Sequence, residues 1–322
     1  MKKLVVAVAL GCMLAIAVLV GTARPSAGAK HYHIALVTGD NHDPFYVTMN
    51  QGAQAEAKKL GVTVKWQGPA QFEADLQIPI LDAVLASKPD FLIVAPDDVR
   101  ALINPIKQFN KAKIPVMTVD TDVNNKSVRL GNITSNNFLG GEIAAQFLSK
   151  ELGGKGKVLY VGEQRGVFTT DQREAGFEHA LKTKYKSLTY VGPQFDNDDP
   201  TQVASVVSAV LQRNSDLKGI FASDTFNGQG AATAVQNAGD RGKVSIVAFD
   251  AEPDQVTALK RGAIKALIVQ KAYDMGVTAV EYAVKHLNTG FKIPAETHPT
   301  YVIATKANVN SPAVAKYIYH QK

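Results

Sequence analysis

Short runs of β-branched and apolar residues alternate along the chain with longer stretches whose apolar positions recur at helical spacing. The strand-like runs fall at 34–38, 62–66, 91–95, 116–119, 157–161, 188–191, 219–222, 245–249 and 266–269. Helical stretches fall between them at 45–59, 76–85, 139–152, 173–181, 202–212, 229–237 and 253–261, and a last one follows at 275–286. Strand and helix in alternation is the pattern that builds parallel sheets covered by helices, so the expected fold class is α/β.

Helix punctuation agrees with this reading. Asp43-Pro44 puts a capping acid before a proline suited to a first helical position, and Asp199-Pro200 repeats the arrangement. Gly61 and Gly262 stand where a C-terminal glycine belongs. In the first helix Val47, Ala53, Ala57 and Leu60 form one apolar stripe for packing on a sheet. The polar stretch 129–137 precedes a second round of strand and helix units, which marks a crossover between two lobes.

In open parallel sheets ligands collect beyond the carboxyl ends of the strands. Those positions carry Asp43, Phe45 and Tyr46 after the first strand and Asp120 and Asp122 after the fourth. Asp171 follows the fifth strand, and Phe195, Asp224, Phe249, Asp250 and Gln270 stand at or just beyond the ends of later ones. Carboxylates accept hydrogen bonds from hydroxyls, and aromatic rings cover apolar C–H faces, so the set suits a polyhydroxylated small molecule. Asp43 and Asp199 also have a plainer use as helix caps. Asp120 and Asp250 directly follow apolar strands, where a carboxylate is costly unless partnered, and this favours a functional role.

At 322 residues the chain is long enough for two lobes. Its 46% hydrophobic and 20% charged residues are those of an ordinary globular protein. The net charge of +6 comes from lysines dispersed among acids, with no basic run interleaved with aromatics, so no nucleic-acid partner is expected. Residues 1–29 read as a secretory signal: Lys2 and Lys3 precede an uncharged apolar run, and Ala27-Gly28-Ala29 is a small-residue cleavage site. Cleavage after Ala29 and a periplasmic location are expected. The single cysteine, Cys12, lies inside the apolar run, so the mature chain has no thiol for redox, metal or nucleophilic chemistry.

Several segments in order resemble the periplasmic pentose- and hexose-binding proteins typified by the ribose-binding protein. They include Asp43-Pro-Phe-Tyr46, Gln51-Gly-Ala-Gln-Ala-Glu-Ala57, Ile114-Pro-Val-Met-Thr-Val-Asp120, Asn136-Asn-Phe-Leu-Gly-Gly141, Arg173-Glu-Ala-Gly-Phe177, Ile220-Phe-Ala-Ser-Asp224, Val247-Ala-Phe-Asp250 and Val269-Gln270. The resemblance implies a type I periplasmic binding fold, two Rossmann-like lobes joined by three hinge crossings near Thr134, Gln270 and Pro294. It implies a first lobe of 30–134 with 271–294 and a second of 135–270 with 295–322. It also implies ligand contacts at Asp43, Phe45, Tyr46, Asp120, Phe195, Asp224, Phe249, Asp250 and Gln270, and delivery of a sugar to an ABC permease by a monomer without cofactor.

Thr121 and Asp171 stand where the ribose-binding pattern has arginines. The expected pocket is therefore rich in acceptors, with Asp122 and Asp171 added, and suits a ligand with many hydroxyl donors or an amino group better than ribose itself. Autoinducer-2 receptors offer a competing match through Asp120, Asp171 and Gln172, although Gly39 replaces the lysine that branch uses.

Other classes fit less well. No GxSxG elbow, HExxH pair or complete Walker loop occurs, so catalysis is not expected. His31, His33 and His42 lack further ligands for a metal site. A sugar-sensing regulator of the same fold would open on a DNA-binding helix pair, whereas this sequence opens on an export signal.

Overall fold

The computed structural model describes residues 31–196 and 199–320. The expected export signal and its expected cleavage site lie outside the described residues, as do Cys12 and two residues of the 195–199 loop. The first lobe opens with β1 (His33–Val37), α1 (Pro44–Leu60), β2 (Thr63–Gln67) and α2 (Ala74–Ser87). It continues through β3 (Phe91–Val94), α3 (Ile103–Lys111), β4 (Val116–Val119) and β5 (Asn132–Ile133). The second lobe contains α4 (Asn137–Glu151), β6 (Gly156–Gly162), α5 (Phe168–Thr183), β7 (Leu188–Phe195) and α6 (Pro200–Arg213). It also contains β8 (Leu217–Ala222), α7 (Thr225–Asn237), β9 (Ser245–Phe249), α8 (Pro253–Arg261) and β10 (Ile264–Val269). Beyond them follow α9 (Ala272–Thr289), β11 (Glu296–Thr297), β12 (Val302–Thr305) and α10 (Pro312–Ala315).

The strands form two six-stranded sheets, in the orders β2-β1-β3-β4-β5-β11 and β7-β6-β8-β9-β10-β12. Matched position by position, the two sheets have the same winding, the doubly-wound order in which ligands bind beyond the strand ends. All pairings are parallel except that of β12 with β10. Central strands such as β3 and β9 are buried along their whole length, as expected for sheets covered on both faces.

Close helix contacts set the lobes' geometry. In the first lobe α1 lies against α9, where a Cβ at Gly52 would come within 2.1 Å of the Tyr273 carbonyl oxygen. In the second, α4 meets α5, and a Cβ at Gly141 would come within 2.0 Å of the Arg173 carbonyl oxygen. Only glycine permits this approach of two backbones, and it fixes the height at which Arg173 sits over its sheet.

Two segments depart from the sequence reading. Helix α3, which the pattern leaves unassigned, forms with Ile106 and Phe109 buried. The third crossing lies later than Pro294, because β11 pairs with β5 through Glu296 and Asn132 and through Thr297 and Ile133. Residues 295–297 thus stay with the first sheet, and the chain passes to the second over 298–301. The cause is Arg129, whose Nη1 donates to the Ala295 carbonyl at 2.8 Å and whose Nη2 donates to Glu296 at 2.6 Å.

The same arginine ties down Asp122, so that its carboxylate is taken up by the first lobe's own framework. Arg129 Nη2 donates to Asp122 Oδ2 at 2.7 Å and Nε to Oδ1 at 3.0 Å, and both side chains are almost fully buried. Asp122 also accepts from Thr118 Oγ1 and from the Val123 amide, and Lys126 pairs with it. Removing one member of a buried pair leaves an uncompensated charge, a cost of about 3–5 kcal/mol. Asp122→Ala is therefore expected to lose about 3 kcal/mol in denaturant unfolding, with Glu296 compensating part of the charge, while ligand affinity of the folded fraction changes less than threefold. Unchanged unfolding would show that the pair does not hold the β5–β11 edge.

Candidate functional site

A cavity of about 20 Å³, room for about one water molecule, lies between the lobes. From the first lobe it is lined by Asp43, Phe45, Tyr46, Phe72, Asp120 and Thr121, and from the second by Glu163, Thr169, Arg173, Asp224, Thr225 and Asp250, with Gln270 at a crossing. The lobes touch at the cleft's edge: the Val99 amide donates to the Gly166 carbonyl at 3.0 Å, and Lys126 Nζ stands 4.6 Å from the Phe168 ring centre.

The acids reach the cavity because each follows a strand or caps a helix. Asp120 and Asp250 directly follow β4 and β9, equivalent strands of the two sheets, and both have left-handed backbones with φ of 62° and 74°. Residues held in this sparsely populated region gather where function over-determines the backbone. Their amides close the strand ends, that of Asp120 donating to the Ile133 carbonyl at 2.7 Å and that of Asp250 to the Ile268 carbonyl at 3.0 Å. Asp43 caps α1 through the Phe45 amide at 2.8 Å, and Asp224 caps α7 through the Asn227 amide at 2.8 Å. Capping and lining are thus combined in the same residue.

Arg173 supplies the balancing charge. Its Nε donates to Asn137 Oδ1 at 2.9 Å, its Nη1 to the Ser223 carbonyl at 2.6 Å, and its guanidinium lies 3.9 Å from the Phe249 ring centre. Burial alone would favour loss of its proton, but Asp250, Tyr301, Asp120 and Glu163 hold its pKa above the usual arginine value. Among the carboxyls burial is the main influence. It pushes Asp120 up to about 7, although Arg173 and a 2.8 Å bond from the Tyr46 hydroxyl favour the charged form. Burial likewise pushes Asp224 up to about 7 against the Asn227 amide and Arg173. Asp43 and Glu163 are driven well above the usual carboxyl range by the same cause. Thr121 Oγ1, Glu163 Oε2 and Gln270 Oε1 are buried lining atoms with no hydrogen-bond partner among the described residues, and buried polar groups normally have one.

Of the residues singled out from sequence, Asp43, Phe45, Tyr46, Asp120, Asp224, Asp250 and Gln270 line this cavity. Four do not. Asp122 is tied to Arg129. Asp171 accepts from the Gly166 amide at 3.0 Å and so shapes the loop before α5. Phe195 lies under the Arg165 guanidinium at 4.7 Å. Phe249 is fully buried beneath Arg173 and supports the site from below. Sequence reasoning missed Phe72, Glu163 and above all Arg173. The signal for Arg173 was present: it shares the stripe 173, 177, 180, 181 with Phe177, Ala180 and Leu181 on the buried face of α5. A charge on such a stripe requires buried partners.

The raised carboxyls make stability pH-dependent. Asp120 and Asp224 titrate at about 7 in the folded protein and near about 3.9 in an unfolded chain. Between those values the folded state binds more protons than the unfolded chain, so stability falls as pH rises through that window. The ligand-free protein is expected to unfold at a lower denaturant concentration at pH 8 than at pH 5.5. An equal midpoint at both would contradict this.

Comparison with known proteins places the chain. Residues 34–291 match the family described as periplasmic binding protein domain. The ribose import binding protein RbsB of Salmonella typhimurium is 33% identical over 82% of this chain and 87% of its own length. An ABC transporter solute-binding protein from Agrobacterium vitis, solved with alpha-D-tagatopyranose, superposes with a TM-score of 0.88 at 40% identity, covering 90% of this chain and all of that one. A carbohydrate transporter solute-binding protein from Agrobacterium radiobacter, solved with D-arabinose, gives a TM-score of 0.85 at 27% identity over 89% of this chain and 99% of that one. With the matched family spanning both sheets and the cavity between them, this chain belongs to the periplasmic binding proteins of the ribose-binding type.

Proposed function

We propose that the protein captures a neutral monosaccharide or sugar alcohol between its lobes and delivers it to an ABC permease in the cytoplasmic membrane. The observation that carries this reading is the lining itself, in which buried acceptors from both lobes, several of them without a partner among the described residues, converge with one arginine on the same cleft. A sugar's hydroxyls can donate to Asp43, Asp120, Glu163, Asp224 and Asp250 while its oxygens accept from Arg173. Phe45, Tyr46 and Phe72 supply apolar faces for its C–H groups.

Contacts to both lobes give the ligand its differential affinity for the closed state, and closure presents the loaded form to the permease. One chain supplies the whole lining, so a monomer suffices. The protein is exported, with residues 1–29 as its cleaved signal, and it works in the periplasm. It performs no reaction: the carboxyls surround the ligand as hydrogen-bond acceptors, and the relatives that support the reading are import binding proteins rather than enzymes. Relatives solved with tagatose and arabinose make ketohexoses and pentoses the first candidates. Autoinducer-2 is less favoured, because Asp171 and Gln172, two of its three matching positions, do not line the cavity.

A thermal-shift screen of pentoses, hexoses, sugar alcohols, inositols, amino sugars and autoinducer-2 tests the reading, since a ligand specific to the folded state raises Tm. A shift with a neutral monosaccharide or sugar alcohol is expected. A response confined to autoinducer-2 or an amine would replace the reading. Asp250→Ala is expected to weaken the best ligand by roughly a hundredfold, about 2–3 kcal/mol for a charge-assisted contact in a buried site. Equal affinity by calorimetry would remove Asp250 from the site.

A further inference from the structure

The segment beyond α10 turns back toward the junction of the lobes. Tyr319 is buried, and its amide donates to the carbonyl of Ala251, the residue after Asp250, at 3.0 Å. Its hydroxyl donates to Asp250 Oδ1 at 2.7 Å. Its ring stands edge-on to Phe45 of the first lobe, with centroids 5.6 Å apart. One residue further, the His320 amide donates to Thr48 Oγ1 on α1 at 2.8 Å. The tail therefore joins an acid of one lobe to an aromatic ring of the other without lining the cavity itself.

The hydrogen bonds at Asp250 are unequal. Oδ1 receives Tyr319 and also Gln270 Nε2 at 2.9 Å, whereas among the described residues Oδ2 has only the Thr225 hydroxyl at 3.4 Å. With one oxygen held twice, the carboxylate is fixed in rotation and its second oxygen keeps its capacity to accept from a ligand.

We propose that Tyr319 is a positioning residue of the ligand site, orienting Asp250 and, with His320, tying that carboxylate to the Phe45 side of the cleft so that the tail contributes to closure. The inference rests on the sugar-binding reading above and goes beyond it in assigning a role to a residue outside the cavity. Such a coupling works because an aspartate free to rotate would pay orientational entropy on binding, which pre-organisation removes.

Tyr319→Phe keeps the ring and its contact with Phe45 and removes only the hydroxyl. The probe is the monosaccharide giving the largest thermal shift with the unaltered protein, and the readouts are affinity and its pH profile. Asp250 is faced by Arg173 from α5, Asp43 before α1, Asp120 after β4, Asp224 after β8 and Tyr301 before β12, all of which remain in the variant. Loss of a donor to the charged carboxylate disfavours that form. Affinity is expected to fall about tenfold, as for loss of one charge-assisted hydrogen bond, and its decline on acidification should begin at higher pH. A purely structural role would lower Tm and leave the pH profile unmoved, which would overturn the assignment. Should that variant fail to fold, Thr48→Val, which removes the acceptor of the His320 amide, is read the same way: weaker binding supports the tail's role, and equal binding overturns it. Failure of the unaltered protein to bind any monosaccharide would instead overturn the transport reading.

Discussion

A single buried guanidinium makes the closed cavity affordable. Asp120, Glu163, Asp224 and Asp250 are all pushed toward the neutral form by burial, and for each of them Arg173 is a force in the opposite direction. Ion pairs in a dry interior repay their desolvation only when geometry is good and remaining donors are used. Arg173 meets that condition through Asn137, the Ser223 carbonyl and the face of Phe249. One positive charge does not balance so many acids, and the residual demand for protons is what a ligand rich in hydroxyl donors can meet.

The two lobes reach this arrangement by the same means. Equivalent sheets place Asp120 and Asp250 in equivalent left-handed positions, so each lobe offers an acid just beyond the end of the equivalent strand. The α4–α5 contact through Gly141 then fixes the height of Arg173 above the second sheet. Apolar packing of buried strands and helices thus carries through to the position of a charge, and that charge decides which ligand chemistry closes the cleft.

Much of this was legible in the sequence, for physical reasons. Asp120 and Asp250 stood out because a carboxylate directly after a buried strand is costly without a partner. The caps Asp43 and Asp224 lie at strand-to-helix turns, which parallel topology gathers at one edge. Asp122 looked alike in sequence, but its partner Arg129 lies across a turn and is oriented by β11 at the far end of the chain. No local pattern carries that information. Strands of two residues, such as β5 and β11, have too few positions to show a period and exist through their pairing. Arg173 was hidden because helical arginines are usually solvated, and its membership of an apolar stripe went unread. Tyr319 is tied to the site by an amide and a hydroxyl from a tail without regular structure, and spacing gives no hint of either.

The account turns on Arg173 as the charge that lets an acidic cavity close around a neutral sugar. Calorimetric titration of Arg173→Leu with the sugar that the unaltered protein binds tests this most directly. Truncating one partner of a buried charged network costs about 2–5 kcal/mol, so binding weaker by about thirtyfold or more is expected in a variant that still folds. Affinity within threefold of the unaltered protein would contradict the account and leave the cavity's acids to be balanced in some other way.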